Sequence, residues 1–214
     1  MRMRRKKHRE ERLSACAEYL FDALEAPLDA PISVFNSPLS KVFLEVGCGK
    51  GGFSCRMAQR HSDAGYFAME RATDCLVLAA ERAKAMELSN LKFINDNADN
   101  LEKIFAPESV DEMFLNFSDP WPKKGYAKRR LTHRRYLEMY MRLLKSGGTL
   151  TFKTDNDGLF DFSLEEIDAL GLEIVAMTRD LHASEYNEGN IMTEYETAFA
   201  EKGKNINMLR IKKA

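Results

Sequence analysis

The stretch Val42-Phe43-Leu44-Glu45-Val46-Gly47-Cys48-Gly49-Lys50-Gly51-Gly52-Phe53 joins a short apolar strand to a glycine turn and then to the start of a helix. Val42 to Val46 reads as the strand and Gly52 to His61 as the helix. Glycines at 47, 49 and 51 allow a tight turn and a close approach of backbone to a ligand. The turn lacks the G-x-x-x-x-G-K-[ST] spacing of a nucleotide-triphosphate loop. Gly47, Gly49 and Gly51 fall at every second position; Gly47, Gly49 and Gly52 have G-x-G-x-x-G spacing, but no small residue follows in the dinucleotide manner.

Working outward from this unit, strand and helix alternate. Gly65 to Met69 reads as a second strand, Ala72 to Leu88 as a helix, Leu91 to Ile94 as a third strand and Val110 to Phe117 as a fourth. Thr132 to Leu144 reads as a helix closed by Lys145-Ser146-Gly147-Gly148, and Thr149 to Lys153 as a fifth strand. A helix over Gly158 to Leu170, a strand over Leu172 to Thr178, a helix over Thr193 to Lys202 and a last strand over Ile206 to Ile211 complete the pattern. Repeated β-α units imply an α/β fold with a mostly parallel sheet and helices on both faces. Ligands of such sheets bind beyond the carboxyl ends of the strands. Upstream, Glu10 to Glu25 reads as an amphipathic helix and Ala26 to Ser40 as a connector. The expected organisation is therefore a basic arm and helix over 1–40 and one domain over 41–214.

A chain of 214 residues, 44% hydrophobic, is long enough to bury a core. Its net charge of −1 hides a segregation of charge. Residues 1–12 hold seven Lys/Arg against two Glu, and residues 123–145 hold nine against one Glu, so the remainder is strongly acidic. Focused basic segments on an acidic body favour a polyanionic partner, although either alone also suits a solvated surface. The cysteines (Cys16, Cys48, Cys55, Cys75) form no C-x-x-C pair and the four histidines are scattered. No metal site or disulfide framework is expected, and a reducing, cytoplasmic setting fits. No apolar stretch suggests a signal peptide or membrane span.

Asn116-Phe117-Ser118-Asp119-Pro120-Trp121-Pro122-Lys123-Lys124, continuing to Lys128-Arg129-Arg130-Leu131, places a carboxylate and the chain's single Trp at a strand end beside phosphate-suited charge. Each proline disfavours helix at the residue before it, so Asp119 and Trp121 are expected to be extended. Glu70 ends the second strand, where a carboxylate can accept both hydroxyls of a ribose. Asn97 follows the third strand. Taken singly these are a turn Asp, a core aromatic, a solvated Glu and a loop Asn. Thr193-x-x-Glu196 is equally a helix capping box, and Asp155 an Asx turn with Asn156.

The glycine turn with its preceding acidic residue resembles the E-x-G-x-G-x-G signature of class I S-adenosylmethionine-dependent methyltransferases. The Asn116–Leu131 motif is similar to that of bacterial tRNA (guanine-N7-)-methyltransferases, as are Phe152-Lys153-Thr154-Asp155-Asn156 and Asn190-Ile191-Met192-Thr193-Glu194-Tyr195-Glu196. The resemblance covers residues 41–213. It implies a Rossmann-like, seven-stranded sheet with the last strand antiparallel, S-adenosyl-L-methionine as cofactor and tRNA as partner. It implies cofactor contacts at Glu45, Gly47, Gly49, Gly51, Glu70, Asn97 and Asp119, with Asp119 also catalytic. It implies substrate contacts at Lys123, Lys128, Arg129, Arg130, Asp155, Thr193, Glu194, Tyr195 and Glu196. The implied product is 7-methylguanosine in the variable loop; monomer and homodimer remain open. Gly125-Tyr126-Ala127 departs from the pattern, since members commonly carry Arg and His there.

Guanine N7 has a free lone pair, so methylation there needs placement more than a base. A fixed carboxylate at Asp119 suits positioning and charge stabilisation. A nucleotide-dependent oxidoreductase would use the glycine turn and Glu70 but leaves Asp-Pro-Trp-Pro-Lys-Lys unexplained. A non-catalytic RNA-binding module has no need of the intact Glu45–Gly51 loop.

Overall fold

The computed structural model describes residues 7–22 and 27–214. Most of the expected basic arm, Arg2 to Lys6, lies outside the described residues. The seven strands form one sheet in the order β3-β2-β1-β4-β5-β7-β6, with β7 antiparallel to both its neighbours, as expected for the last strand. The chain comprises two compact units, Met1–Ala106 and Pro107–Ala214.

The first unit contains α1 (Arg9–Ser14), β1 (Lys41–Val46), α2 (Gly52–Arg60), β2 (Ala64–Met69), α3 (Thr73–Ala85), β3 (Leu91–Ile94) and α4 (Leu101–Ile104). β1 is buried at every position after Lys41 and β2 at every position, the pattern of parallel strands covered on both faces. Val46 pairs with Met69, and Met69 with Ile94, so the three strands end level. Gly47, Glu70 and Asn95 therefore emerge side by side.

The expected helix over Glu10–Glu25 stops at Ser14. A 3-10 turn spans Ala17–Tyr19, and Leu20 then bridges Phe93 in parallel, with the Phe21 N–H donating to the Phe93 carbonyl at 2.8 Å. The competing partner is the exposed ladder of β3, which draws the segment into extended pairing. Arg12 binds Glu81 of α3 through two 2.6 Å hydrogen bonds, fastening α1 to the unit. Leu24 and Glu25 lie outside the described residues.

The second unit contains β4 (Val110–Asn116), α5 (Arg134–Leu143), β5 (Leu144–Thr154), α6 (Asp157–Ala169), β6 (Glu173–Thr178), α7 (Glu194–Ala200) and β7 (Asn207–Lys212). α5 buries Tyr136, Leu137, Met139, Tyr140 and Leu143, one apolar stripe at helical spacing. Lys145-Ser146-Gly147-Gly148 does not terminate α5. Leu144 is already extended, and the glycines fall inside β5, where Val110 pairs with Leu144 but Glu112 with Thr149. Gly147 has φ +76, and a Cβ at Gly148 would lie 2.8 Å from the Asp111 carbonyl oxygen. These glycines thus serve an irregular ladder, which helix-ending rules alone do not distinguish.

Candidate active site

In the first unit the glycine turn is laced to the end of β2. The N–H groups of Gly47 and Cys48 donate to the Met69 carbonyl at 2.8 and 3.0 Å. Gly47 and Gly49 have φ +87 and +56, and a Cβ on either would enter open space. Gly51 is different. It has φ +71, and a Cβ there would lie 2.7 Å from the Ala79 Cβ of α3. Gly51→Ala is expected to cost roughly 2–4 kcal/mol, from a left-handed alanine together with overpacking. Chemical denaturation checks this, and a cost under about 1 kcal/mol would show that α3 yields.

Glu45 is buried at 2% exposure, and its carboxylate accepts a hydrogen bond from Ser54. Glu70 is half-buried, and its two oxygens accept from the N–H groups of Gly49 at 3.0 Å and Ala72 at 2.7 Å. A carboxylate has about four acceptor sites, so these bonds orient Glu70 and leave room for further donors. Burial, then the negative charges of Glu45 and Glu70, push the Cys48 thiol well above its ordinary range. Glu45 and Glu70 thus both place negative charge beside the turn. Asn97 is exposed; its side-chain oxygen caps a 3-10 turn at Asp99 and its amide nitrogen is not engaged in that bond.

Two neighbouring residues escaped the sequence reading. Asn95 donates to the Glu70 carbonyl at 2.8 Å and accepts from Thr73, tying the end of β3 to the start of α3. Asp96 accepts from the Asn97 N–H at 2.6 Å and the Asn100 amide at 2.8 Å. The signal was the run Asn95-Asp96-Asn97, side chains that bond nearby backbone and shape turns.

In the second unit Asn116 of β4 pairs with Lys153 of β5, and the Phe117 N–H extends that ladder to the Lys153 carbonyl at 2.8 Å. The chain then turns sharply. Phe117 has φ +52 and Trp121 φ +41. The expected extended conformation at Trp121 is therefore corrected. A following proline disfavours the right-handed helical region but does not itself choose the extended one. Here Arg130 donates to the Pro120 and Trp121 carbonyls, each at 3.0 Å, and holds the turn from below. Positive φ at two bulky residues costs about 1–3 kcal/mol each, strain of the kind that gathers at functional sites.

Asp119 is exposed on this turn. Asp155 follows β5 and pairs with Lys204 at 3.0 Å. Tyr195 is 50% exposed, with its ring 5.2 Å from Phe117 and 4.6 Å from Phe199. Burial and the negative charges of Asp155 and Asp119 raise the Tyr195 phenol above its usual pKa, with Lys204 opposing them. Asp119, Asp155 and Tyr195 thus share one electrostatic neighbourhood.

Thr193 and Glu196 form the expected capping box at the start of α7. Glu196 is 0% exposed, which removes it from direct contact with a substrate. Its oxygens meet Lys153 at 2.7 Å, the Asn190 amide at 2.7 Å, His182 at 2.9 Å and the Thr193 N–H at 3.3 Å. Lys153 also donates to the Ile191 carbonyl at 3.0 Å. This buried hub fixes the segment that presents Glu194 and Tyr195; Thr193 is itself buried, its hydroxyl oxygen accepting from the Glu196 N–H at 2.9 Å. Lys153, His182 and Asn190 were not singled out in the sequence, because a buried lysine in an apolar strand acquires its meaning only from its partners.

The basic run divides by role. Lys123, Lys124 and Lys128 are exposed, and Arg129 packs on Trp121 and Tyr126. Arg130 is committed to the turn, Arg134 to Glu166 at 2.9 Å, and Arg135 to the Lys128 carbonyl at 2.8 Å. The run is thus part exposed cationic surface and part scaffold.

The strand order, the reversed last strand and the glycine turn after β1 define a Rossmann-like methyltransferase fold. Two solved structures share it: a 16S rRNA methyltransferase, KamB, with TM-score 0.65 and 12% identity over 91% of this chain and 98% of that one, and a 16S rRNA (adenine(1408)-N(1))-methyltransferase from Catenulisporales acidiphilia, with TM-score 0.56 and 14% identity over 98% and 93%. A family model described as "Putative methyltransferase" matches residues 40–209. The tRNA (guanine-N(7)-)-methyltransferase of Mesoplasma florum is 44% identical over 100% of this chain and 99% of its own. That of Halalkalibacterium halodurans is 46% identical over 77% and 74%, and that of Geobacillus sp. 38% identical over 99% and 96%. The chain belongs to the tRNA (guanine-N(7)-)-methyltransferase family.

Proposed function

We propose that this protein transfers a methyl group from S-adenosyl-L-methionine to N7 of a guanosine in the variable loop of tRNA, forming 7-methylguanosine. The end-to-end match to the Mesoplasma florum relative carries this reading, since it spans every site residue. A cytoplasmic location belongs to the same reading.

The first unit suits the cofactor. Gly47 and Gly49, at positive φ with open space beside their backbone, would let a ligand approach the turn closely, and Glu45 and Glu70 would supply negative charge for a sulfonium cation. Glu70 would take the ribose hydroxyls, Asn97 the adenine, and the turn the methionine portion. When bound, the cofactor supplies an electrophilic methyl group on positively charged sulfur. A related fold has been determined with cosubstrate SAM, in the Catenulisporales acidiphilia enzyme.

The second unit suits the RNA. Guanine N7 attacks through its own lone pair, so no residue must remove a proton first. Asp119 would orient the guanine by its donor edge and stabilise the positive charge arriving on the purine. Asp155, Glu194 and Tyr195 would border the nucleoside, while the buried Thr193 and Glu196 act as positioning residues through the capping box and Lys153. Lys123, Lys124, Lys128 and Arg129 would meet phosphates.

The test is incubation with methyl-labelled cofactor and unmodified tRNA, followed by nucleoside analysis. Label in 7-methylguanosine of the variable loop is expected; cofactor binding without label at N7 would overturn the reading. With about four phosphates engaged, log K for tRNA should fall with log salt at a slope of about −3. A slope near −5 would mean that Arg130, Arg134 and Arg135 leave their internal partners on binding.

A further inference from the structure

The 3-10 helix Lys124–Arg129 buries none of its residues, yet it carries a structured aromatic cluster. Tyr126 is 41% exposed on a segment otherwise made of charged and small residues. Its ring meets Trp121 edge-on, with centroids 5.8 Å apart and planes at 80°. The Arg129 guanidinium carbon sits 4.7 Å from the Tyr126 centroid and 5.0 Å from that of Trp121, so one cation engages both rings. The cluster is supported from within the fold. Arg130 holds the carbonyls of Pro120 and Trp121, and its guanidinium packs 4.3 Å from the Phe162 ring. The Tyr126 N–H donates to the Lys123 carbonyl at 2.9 Å, and the Arg130 N–H to the Ala127 carbonyl at 3.0 Å. A tyrosine placed only for solubility needs neither a cation against one face of its ring nor a turn held by a second arginine.

We propose that Tyr126, backed by Arg129 and Trp121, is a stacking platform for an unpaired RNA base, while Lys123, Lys124 and Lys128 hold the adjoining phosphates. The chemistry matches on both counts. An exposed tyrosine ring accepts the π-face of any base, and a guanidinium behind it strengthens the stack. Lysines as point charges track a phosphate backbone without demanding a sequence. A base splayed from a loop is the form in which RNA offers such a face, whereas a paired base keeps its faces inside the helix. The platform rests on the proposed RNA substrate and adds to it a contact that is independent of salt.

Trp121 is the only tryptophan, so its fluorescence reports on this cluster. The experiment titrates the full-length protein with a short single-stranded oligoribonucleotide, and with the same strand carrying abasic positions, across a salt series. Wild type, Tyr126→Ala and Tyr126→Phe are compared. Binding of the base-bearing strand should perturb Trp121 emission. Tyr126→Ala should weaken that binding roughly 5- to 100-fold with an unchanged salt slope, and Tyr126→Phe should keep most of it. The abasic strand should bind wild type and Tyr126→Ala alike. Equal affinity of wild type and Tyr126→Ala for the base-bearing strand overturns the platform, as does loss in Tyr126→Ala of affinity for both strands together. If those results accompany normal methylation of tRNA, the functional reading stands without the platform. Failure of the wild type to bind RNA at all removes both.

Discussion

Lys153→Met is expected to lower the unfolding free energy by roughly 3–5 kcal/mol. Lys153 and Glu196 form a 2.7 Å ion pair in which the two side chains are 4% and 0% exposed. Two charges in such a place cost several kcal/mol each to desolvate, offset here by their mutual attraction and by bonds from His182, Asn190 and the Thr193 N–H. Removing the lysine leaves the carboxylate without its main compensation. Urea titration checks the value; a loss under about 1 kcal/mol would mean that water reaches Glu196 once the lysine is gone. Lys153→Met combined with Glu196→Gln should recover part of the loss, because the uncompensated charge is then absent.

The same hub sets an acid limb. Burial alone would raise the Glu196 carboxyl, but the charge of Lys153 and the hydrogen bonds from Lys153, Asn190 and His182 outweigh it, holding the group below its ordinary range. A depressed carboxylate contributes stability that is complete above its unfolded value, near 4.3, and is lost as pH falls through the lower folded value. Wild-type stability should therefore fall away below about pH 4 in part through this residue. An acid limb in Glu196→Gln identical to that of the wild type would assign the effect to other carboxylates.

Asp119→Ala is expected to reduce kcat by roughly 10²–10³-fold while the tRNA dissociation constant changes by no more than about threefold. The asymmetry follows from the chemistry. N7 needs no base, so what Asp119 supplies is orientation and a fixed negative charge that matters as the purine becomes cationic. One carboxylate also contributes little beside several phosphate contacts. Asp119→Asn separates the two roles: it keeps a hydrogen-bonding oxygen but loses the charge. Recovery to near wild-type turnover in Asn would leave positioning as the only role, and a matching loss of tRNA affinity in Ala would make Asp119 part of the RNA surface.

Strands were legible wherever an apolar run was bounded by turn residues, as at Val42–Val46, Leu91–Ile94 and Ile206–Ile211, which lie within two residues of the observed strand ends. Errors arose where local rules compete with pairing partners distant in sequence. Glu10–Glu25 has helical spacing, but β3 offered Leu20 and Phe21 a ladder. Gly147-Gly148 looks like a helix stop, but β4 and β7 drew the segment into a strand. Trp121 before a proline suggested extension, and a side chain nine residues downstream settled it otherwise.

By its own residues the chain declares alternating strands and helices, a glycine turn that only small residues can make, carboxylates and amides placed at strand ends, and segregated basic charge. These depend on side-chain type and short-range spacing, which are written along the chain. Only the tertiary structure decided which of those groups face outward. Glu194 and Tyr195 are exposed while Glu196, one residue on, is a buried hub, and Lys123 and Lys128 are exposed while Arg130 grips the turn. Exposure and partnership depend on what folds against a residue, and for Glu196 that includes Lys153, 43 positions away.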